Sequence, residues 1–156
     1  MQITFICTGN TCRSPMAEGI ARTLIEKKYA DRGITVCSAG LATYNGAPAS
    51  QHSIDVCAEK GIDIACHRSR RLNPEIAANT DLFAVMTEEH AQILRQCGIP
   101  DEKITVLGQE IADPYGGGED EYRECRDQID QAVQALLDGI AAESGQSDSV
   151  EGDTVE

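Results

Sequence analysis

Short apolar runs alternate with amphipathic stretches along the chain. Gln2 to Ile6 is the first run, halted by Cys7-Thr8-Gly9-Asn10, and it predicts a strand feeding a loop. Ser14 before Pro15 predicts an N-cap followed by a first helical residue, and Met16, Ala17, Ile20, Ala21, Leu24 and Ile25 then follow at helical spacing to about Tyr29. Further strands are expected at Ile34–Ser38, Leu82–Met86 and Ile104–Leu107. Helices are expected near Ala49–Lys60, from Asn73-Pro74, and over Glu88–Cys97. Tyr122, Cys125, Ile129, Val133, Leu136, Leu137 and Ile140 form one apolar stripe on a last, longest helix. Strands alternating with helices predict an α/β fold, a doubly wound four-stranded parallel sheet with helices on both faces. One domain is expected over 1–142, followed by an acidic, disordered tail over 143–156 that offers little to bury.

Composition narrows the function. The chain has 156 residues, 41% of them hydrophobic, which is the range of one globular domain. Thirteen Lys+Arg stand against 26 Asp+Glu, a net charge of −13. No basic face is visible for nucleic acid, no apolar stretch is long enough for a membrane, and no export leader is recognised. An anionic ligand must therefore be held by local donors against an unfavourable overall field. The seven cysteines include no Cys-x-x-Cys pair and suit neither a zinc ribbon nor a disulfide framework. Reduced thiols in the cytoplasm are the expectation, with no metal and no cofactor.

The segment Cys7-Thr8-Gly9-Asn10-Thr11-Cys12-Arg13-Ser14 carries the chemistry. Lying between a strand and a helix, it can turn successive backbone N–H groups inward as a nest for a phosphoryl group, with the helix adding its positive end. Gly9 and Asn10 are residue types that tolerate the left-handed backbone of such a wrap. Arg13 offers a planar fork to two oxygens, and the same donors stabilise a Cys7 thiolate that Ser14 could hydrogen-bond. Cys12, in the same loop, could trap an oxidised Cys7 as a reversible disulfide; otherwise it is a small wall residue. An Asp before Pro in a Gly-rich loop, as at Asp113, is by itself often a turn former.

These residues resemble the low-molecular-weight protein tyrosine phosphatase family: Cys-Thr-Gly-Asn-Thr-Cys-Arg-Ser-Pro-Met-Ala-Glu at 7–18 looks like its signature loop. Ser38-Ala39-Gly40 looks like the segment after its second strand, and Asp113-Pro114-Tyr115 like its general-acid loop. The resemblance reaches to about Ala142. It implies a metal-independent phosphatase for phosphorylated proteins, with Cys7 as nucleophile, Arg13 and the amides of Thr8 to Ser14 around the phosphate, and Asp113 as acid and then base. It also implies that His67 hydrogen-bonds to Asn10, which fixes the loop by its side chain. Tyr115 would form a pocket wall.

Thr11 departs from the usual family pattern, which has a bulky aliphatic residue there. Its hydroxyl could accept from a guanidinium N–H, a bond to a charged donor worth about 1.5–3 kcal/mol, while Asp113 faces the same cation. Together with Tyr122 after the Asp-Pro-aromatic-Gly-Gly loop, this resembles the protein arginine phosphatase branch and implies phosphoarginine as substrate. Phosphotyrosine is the alternative. A thiol-coupled arsenate reductase would need a relay from Cys57 and Cys66, and a phosphate-binding module without activity would be expected to lack Cys7, Arg13 or Asp113. His52 and His90 fall on expected helices and carry no assignment.

Overall fold

The structure, a computed structural model, describes residues 1–143 in full; beyond them it records only the span of the last helix. Of the tail expected to be disordered over 143–156, Glu143 lies within the last helix and the remainder beyond the fully described residues. Strands β1 (Gln2–Cys7), β2 (Thr35–Gly40), β3 (Leu82–Val85) and β4 (Ile104–Val106) form one sheet in the order β2-β1-β3-β4. All three pairings are parallel, and β1 meets β2 from Gln2 opposite Thr35 to Cys7 opposite Gly40. The helices are α1 (Arg13–Lys28), α2 (Gln51–Ala58), α3 (Pro74–Ala78), α4 (Glu88–Gln96) and α5 (Glu119–Val155), with a short 3₁₀ turn at Asp101–Lys103.

Alternation along the central strands sorts the core into two layers. Ile3, Phe5, Ala84 and Met86 point into a layer shared with Met16 and Ile20 of α1, Val56 of α2 and Ile129, Val133 and Leu137 of α5. Ile6, Phe83 and Val85 point the other way, onto Ala91 and Leu94 of α4, with Ile76 of α3 beside them. Every strand and every helix expected from periodicity is present. No helix among the described residues is long and apolar enough to cross a membrane.

The boundaries hold two corrections. Ser14 is not the N-cap of α1: that position falls to Cys12, whose side chain makes no capping bond, and Ser14 is already helical. Its hydroxyl is engaged by Asn10 and Cys7 instead. Helix α2 starts two residues later than expected because Ser50 accepts a hydrogen bond from the Ser53 amide and caps it. Where β1 ends and α1 begins, at the carboxyl edge of the sheet, the cysteine loop sits as a parallel sheet dictates.

Candidate active site

Four carbonyls of the loop are tied to neighbours outside it. Cys7 O accepts from Leu41 N, Thr8 O from Ala42 N, and Thr11 O from Ser50 N, at 3.1, 2.9 and 2.8 Å. Asn10 O pairs with His67 Nε2 at 2.8 Å. A planar trans peptide points its N–H opposite to its C=O, so anchoring these carbonyls outward turns the amides of Thr8, Gly9, Thr11 and Cys12 inward. The result is a nest of donors ending on the first turn of α1.

Asn10 is the structural pivot. It is fully buried and takes φ +55°, whereas Gly9 keeps an ordinary backbone, so the expected left-handed residue is Asn10 alone. Its Nδ2 donates to Ser14 Oγ at 2.8 Å and Ser38 Oγ at 3.0 Å, and its Oδ1 accepts from Arg70 N at 2.8 Å. Ser38 in turn donates to Glu18 Oε1 at 2.6 Å. Ser14 Oγ, already accepting from Asn10, has its hydrogen left for Cys7 Sγ at 2.9 Å. The Asn10 amide reaches the same sulfur at 3.3 Å. Two donors thus converge on a nearly buried sulfur.

Arg13 is buried and donates through Nη1 to Ile111 O at 2.9 Å, while Nη2 lies 3.7 Å from Asp113 Oδ2. The other Asp113 oxygen accepts from Tyr115 N at 3.0 Å, so this carboxylate both forms the turn and faces the guanidinium. A cavity of about 250 Å³ is lined by Cys7, Thr8, Gly9, Thr11, Cys12, Arg13, Asp113 and Tyr115. Larger hollows, of about 420 and 460 Å³, lie elsewhere, but this one gathers the residues singled out in the sequence. Tyr115 is exposed at its rim. His67 meets Asn10 as expected, though at the backbone carbonyl and not the side chain.

Four contributors carry no sequence assignment. Ser38, Glu18 and Arg70 orient the Asn10 amide; their only signal was Ser38 and Glu18 falling inside the quoted segments. His90, on the first turn of α4, places Nε2 3.0 Å from Thr8 Oγ1. Tyr122, expected on the core stripe, sets its hydroxyl 3.3 Å from Cys12 Sγ and its ring centroid 5.1 Å from that of His52. Burial and, next, the Cys12 contact push the Tyr122 phenol up to about 12, so it remains a neutral donor. Burial, then the Arg13 charge, push the His90 imidazole below its ordinary value.

A thiol within an anion nest at the carboxyl edge of a parallel sheet, faced by an arginine and a carboxylate, is the architecture of a phosphatase that uses a cysteine. The family model for low molecular weight phosphotyrosine protein phosphatases matches residues 2–146. Protein-arginine-phosphatases of Bacillus subtilis and Geobacillus stearothermophilus are 34% and 37% identical to the chain, over 87% and 91% of it and 94% and 97% of their own lengths. A solved structure of the YwlE arginine phosphatase, a mutant with a phosphorylated active-site serine, superposes with a TM-score of 0.82 at 32% identity, covering 90% of this chain and 96% of that one. The chain belongs to the low molecular weight phosphotyrosine protein phosphatase family.

Proposed function

We propose that this protein hydrolyses phosphoarginine on proteins through a phosphocysteine on Cys7. The Cys7 thiolate attacks phosphorus in line; the P–N bond breaks, and Asp113 gives its proton to the departing guanidine nitrogen. Water then attacks the phosphorus, Asp113 takes its proton, the P–S bond breaks, and phosphate leaves. The inward amides of Thr8, Gly9, Thr11 and Cys12 and the free N–H groups of Arg13 hold the charge on the equatorial oxygens throughout. Ser14 donates to the sulfur and favours it as a leaving group in the second step.

The observation that carries arginine as the substrate is Thr11 in the cavity wall with Asp113 in the same small space. The Thr11 hydroxyl and the carboxyl of Asp113 are both acceptors, which suit a planar group of several N–H donors better than a ring that has none. The two protein-arginine-phosphatase relatives support the same choice. Phosphotyrosine is the second reading, favoured by the exposed Tyr115 ring at the rim, which offers a face for stacking. An arsenate relay through Cys57 is disfavoured by its full burial in α2, which pushes its thiol up to about 12. Seven unpaired cysteines support a reducing compartment such as the cytoplasm, and phosphorylated proteins are the partners.

The test is parallel turnover of a phosphoarginine protein and a phosphotyrosine peptide by the wild type and Thr11→Ile. Wild type is expected to favour phosphoarginine, and Thr11→Ile to shift the ratio toward phosphotyrosine by about ten- to a hundredfold, the equivalent of one bond to a charged donor. An unchanged ratio refutes the specificity argument. Residual turnover by Cys7→Ser refutes the nucleophile.

A further inference from the structure

Among the described residues, Nδ1 of His90 is the buried side-chain polar atom that finds no hydrogen-bond partner. The residue is 5% exposed, and its other ring nitrogen lies 3.0 Å from Thr8 Oγ1. An orphaned buried N–H is rarer in folded proteins than an orphaned acceptor, because a donor has no second way to be satisfied. The bare nitrogen is therefore Nδ1, and the hydrogen of the neutral ring sits on Nε2. Thr8 Oγ1 accepts that hydrogen, which leaves its own O–H free to donate.

Every element around the ring bears on its charge. From its own helix it faces Glu89 at the positive end of α4, from α1 Arg13, and from the acid-loop side Glu110 and Asp113. Burial, Arg13 and the helix terminus disfavour the cation. A cationic ring would also bury an unpartnered Nδ1–H. The neutral Nε2–H form is the one the packing accommodates.

Thr8 lines the cavity yet is exposed, while Cys7, Asn10, Cys12 and Arg13 are buried. Its hydroxyl thus belongs to the mouth of the cavity, where the protein part of a substrate would lie, and not to its floor. We propose that His90 is a positioning residue that holds the Thr8 hydroxyl as a hydrogen-bond donor to an acceptor of the phosphoprotein, such as a backbone carbonyl beside the phosphorylated side chain. This rests on the phosphoarginine reading for its substrate, but not on the identity of the leaving atom.

The experiment is a double-mutant cycle with Thr8→Val and His90→Leu, measured on the phosphoarginine protein and on a small aryl phosphate that lacks a peptide. Each single variant is expected to raise KM for the protein substrate about three- to tenfold, the loss of one neutral hydrogen bond, with a smaller effect on the aryl phosphate. The double variant is expected to be no worse than Thr8→Val alone, and His90→Gln, whose amide N–H reaches about as far as Nε2, to restore most of the loss. Additive losses in the double variant, equal losses on both substrates, or no rescue by His90→Gln overturn the proposal. If His90→Leu folds poorly, two-bond nitrogen–proton NMR of the wild type decides instead: Nε2 protonated supports it, and Nδ1 protonated overturns it. A wild type that turns over aryl phosphate but not phosphoarginine would fault the proposed function, not this hydrogen bond.

Discussion

Asn10→Ala is the most searching perturbation of the cradle. The Asn10 side chain makes three hydrogen bonds inside the protein, to Ser14, Ser38 and the Arg70 amide. At about 0.5–1.5 kcal/mol each they contribute about 1.5–4.5 kcal/mol. Alanine at φ +55° adds about 1 kcal/mol of backbone strain that asparagine tolerates better. The expected loss is about 2.5–5.5 kcal/mol, a large share of the 5–15 kcal/mol of a typical domain. At about 2–4 °C per kcal/mol for a chain of this size, the melting midpoint should fall by roughly 5–22 °C. Urea denaturation measures the loss, and kcat on an aryl phosphate should fall with it, because Ser14 is no longer held toward Cys7. Two companions separate the causes. Asn10→Gly loses the same bonds without the strain and should be about 1 kcal/mol more stable than Asn10→Ala. Asn10→Asp keeps an acceptor for Arg70 but cannot donate to Ser14 or Ser38, so it should retain part of the stability and little of the activity. Should Asn10→Ala unfold within about 1 kcal/mol of wild type and keep full kcat, the account of the cradle is wrong.

A Cβ at Gly40 would lie 2.9 Å from Thr8 O and 3.0 Å from Asn10 Cβ, so Gly40→Ala should destabilise by about 1–3 kcal/mol and lower kcat, read by urea denaturation and aryl phosphate turnover. Hydrogen bonds from Arg123, then Arg126, hold the Glu59 carboxyl down at about 2. Its stabilisation is therefore complete above about 4.5 and lost as pH falls toward 2, so the stability gap between wild type and Glu59→Gln should close over that window in acid denaturation. Peroxide should inactivate the enzyme reversibly, with Cys12 attacking the sulfenic acid of Cys7 to form a disulfide and release water; Cys12→Ser should lose recovery by added thiol.

The sheet and its helices were legible because each apolar run had the length and period of one element, as at Gln2–Cys7 and along the Tyr122 to Ile140 stripe. The cysteine loop was legible because Cys7, Arg13 and Ser14 are separated by fixed steps on one continuous turn. What escaped was set by contacts distant in sequence. Ser14 reads as a cap because Ser-Pro usually opens a helix, but Asn10 and Cys7 claim its hydroxyl. His90 meets Thr8 across 82 positions, and nothing local distinguishes it from a histidine on any amphipathic helix. The partners of Asn10 at Ser38 and Arg70 come from β2 and a loop beyond α2, joined only by the fold.

Arg13 grips the carbonyl of Ile111 while Asp113, two residues further on, faces the same guanidinium. The group proposed to neutralise the dianion and the group proposed to shuttle its proton are therefore harnessed to one short stretch of chain. A change anywhere from Ile111 to Tyr115 should therefore blunt oxyanion affinity and proton delivery as a pair. On the proposed reading, retuning the site for a new leaving group would mean moving both at once, or altering the cavity lining at Thr11.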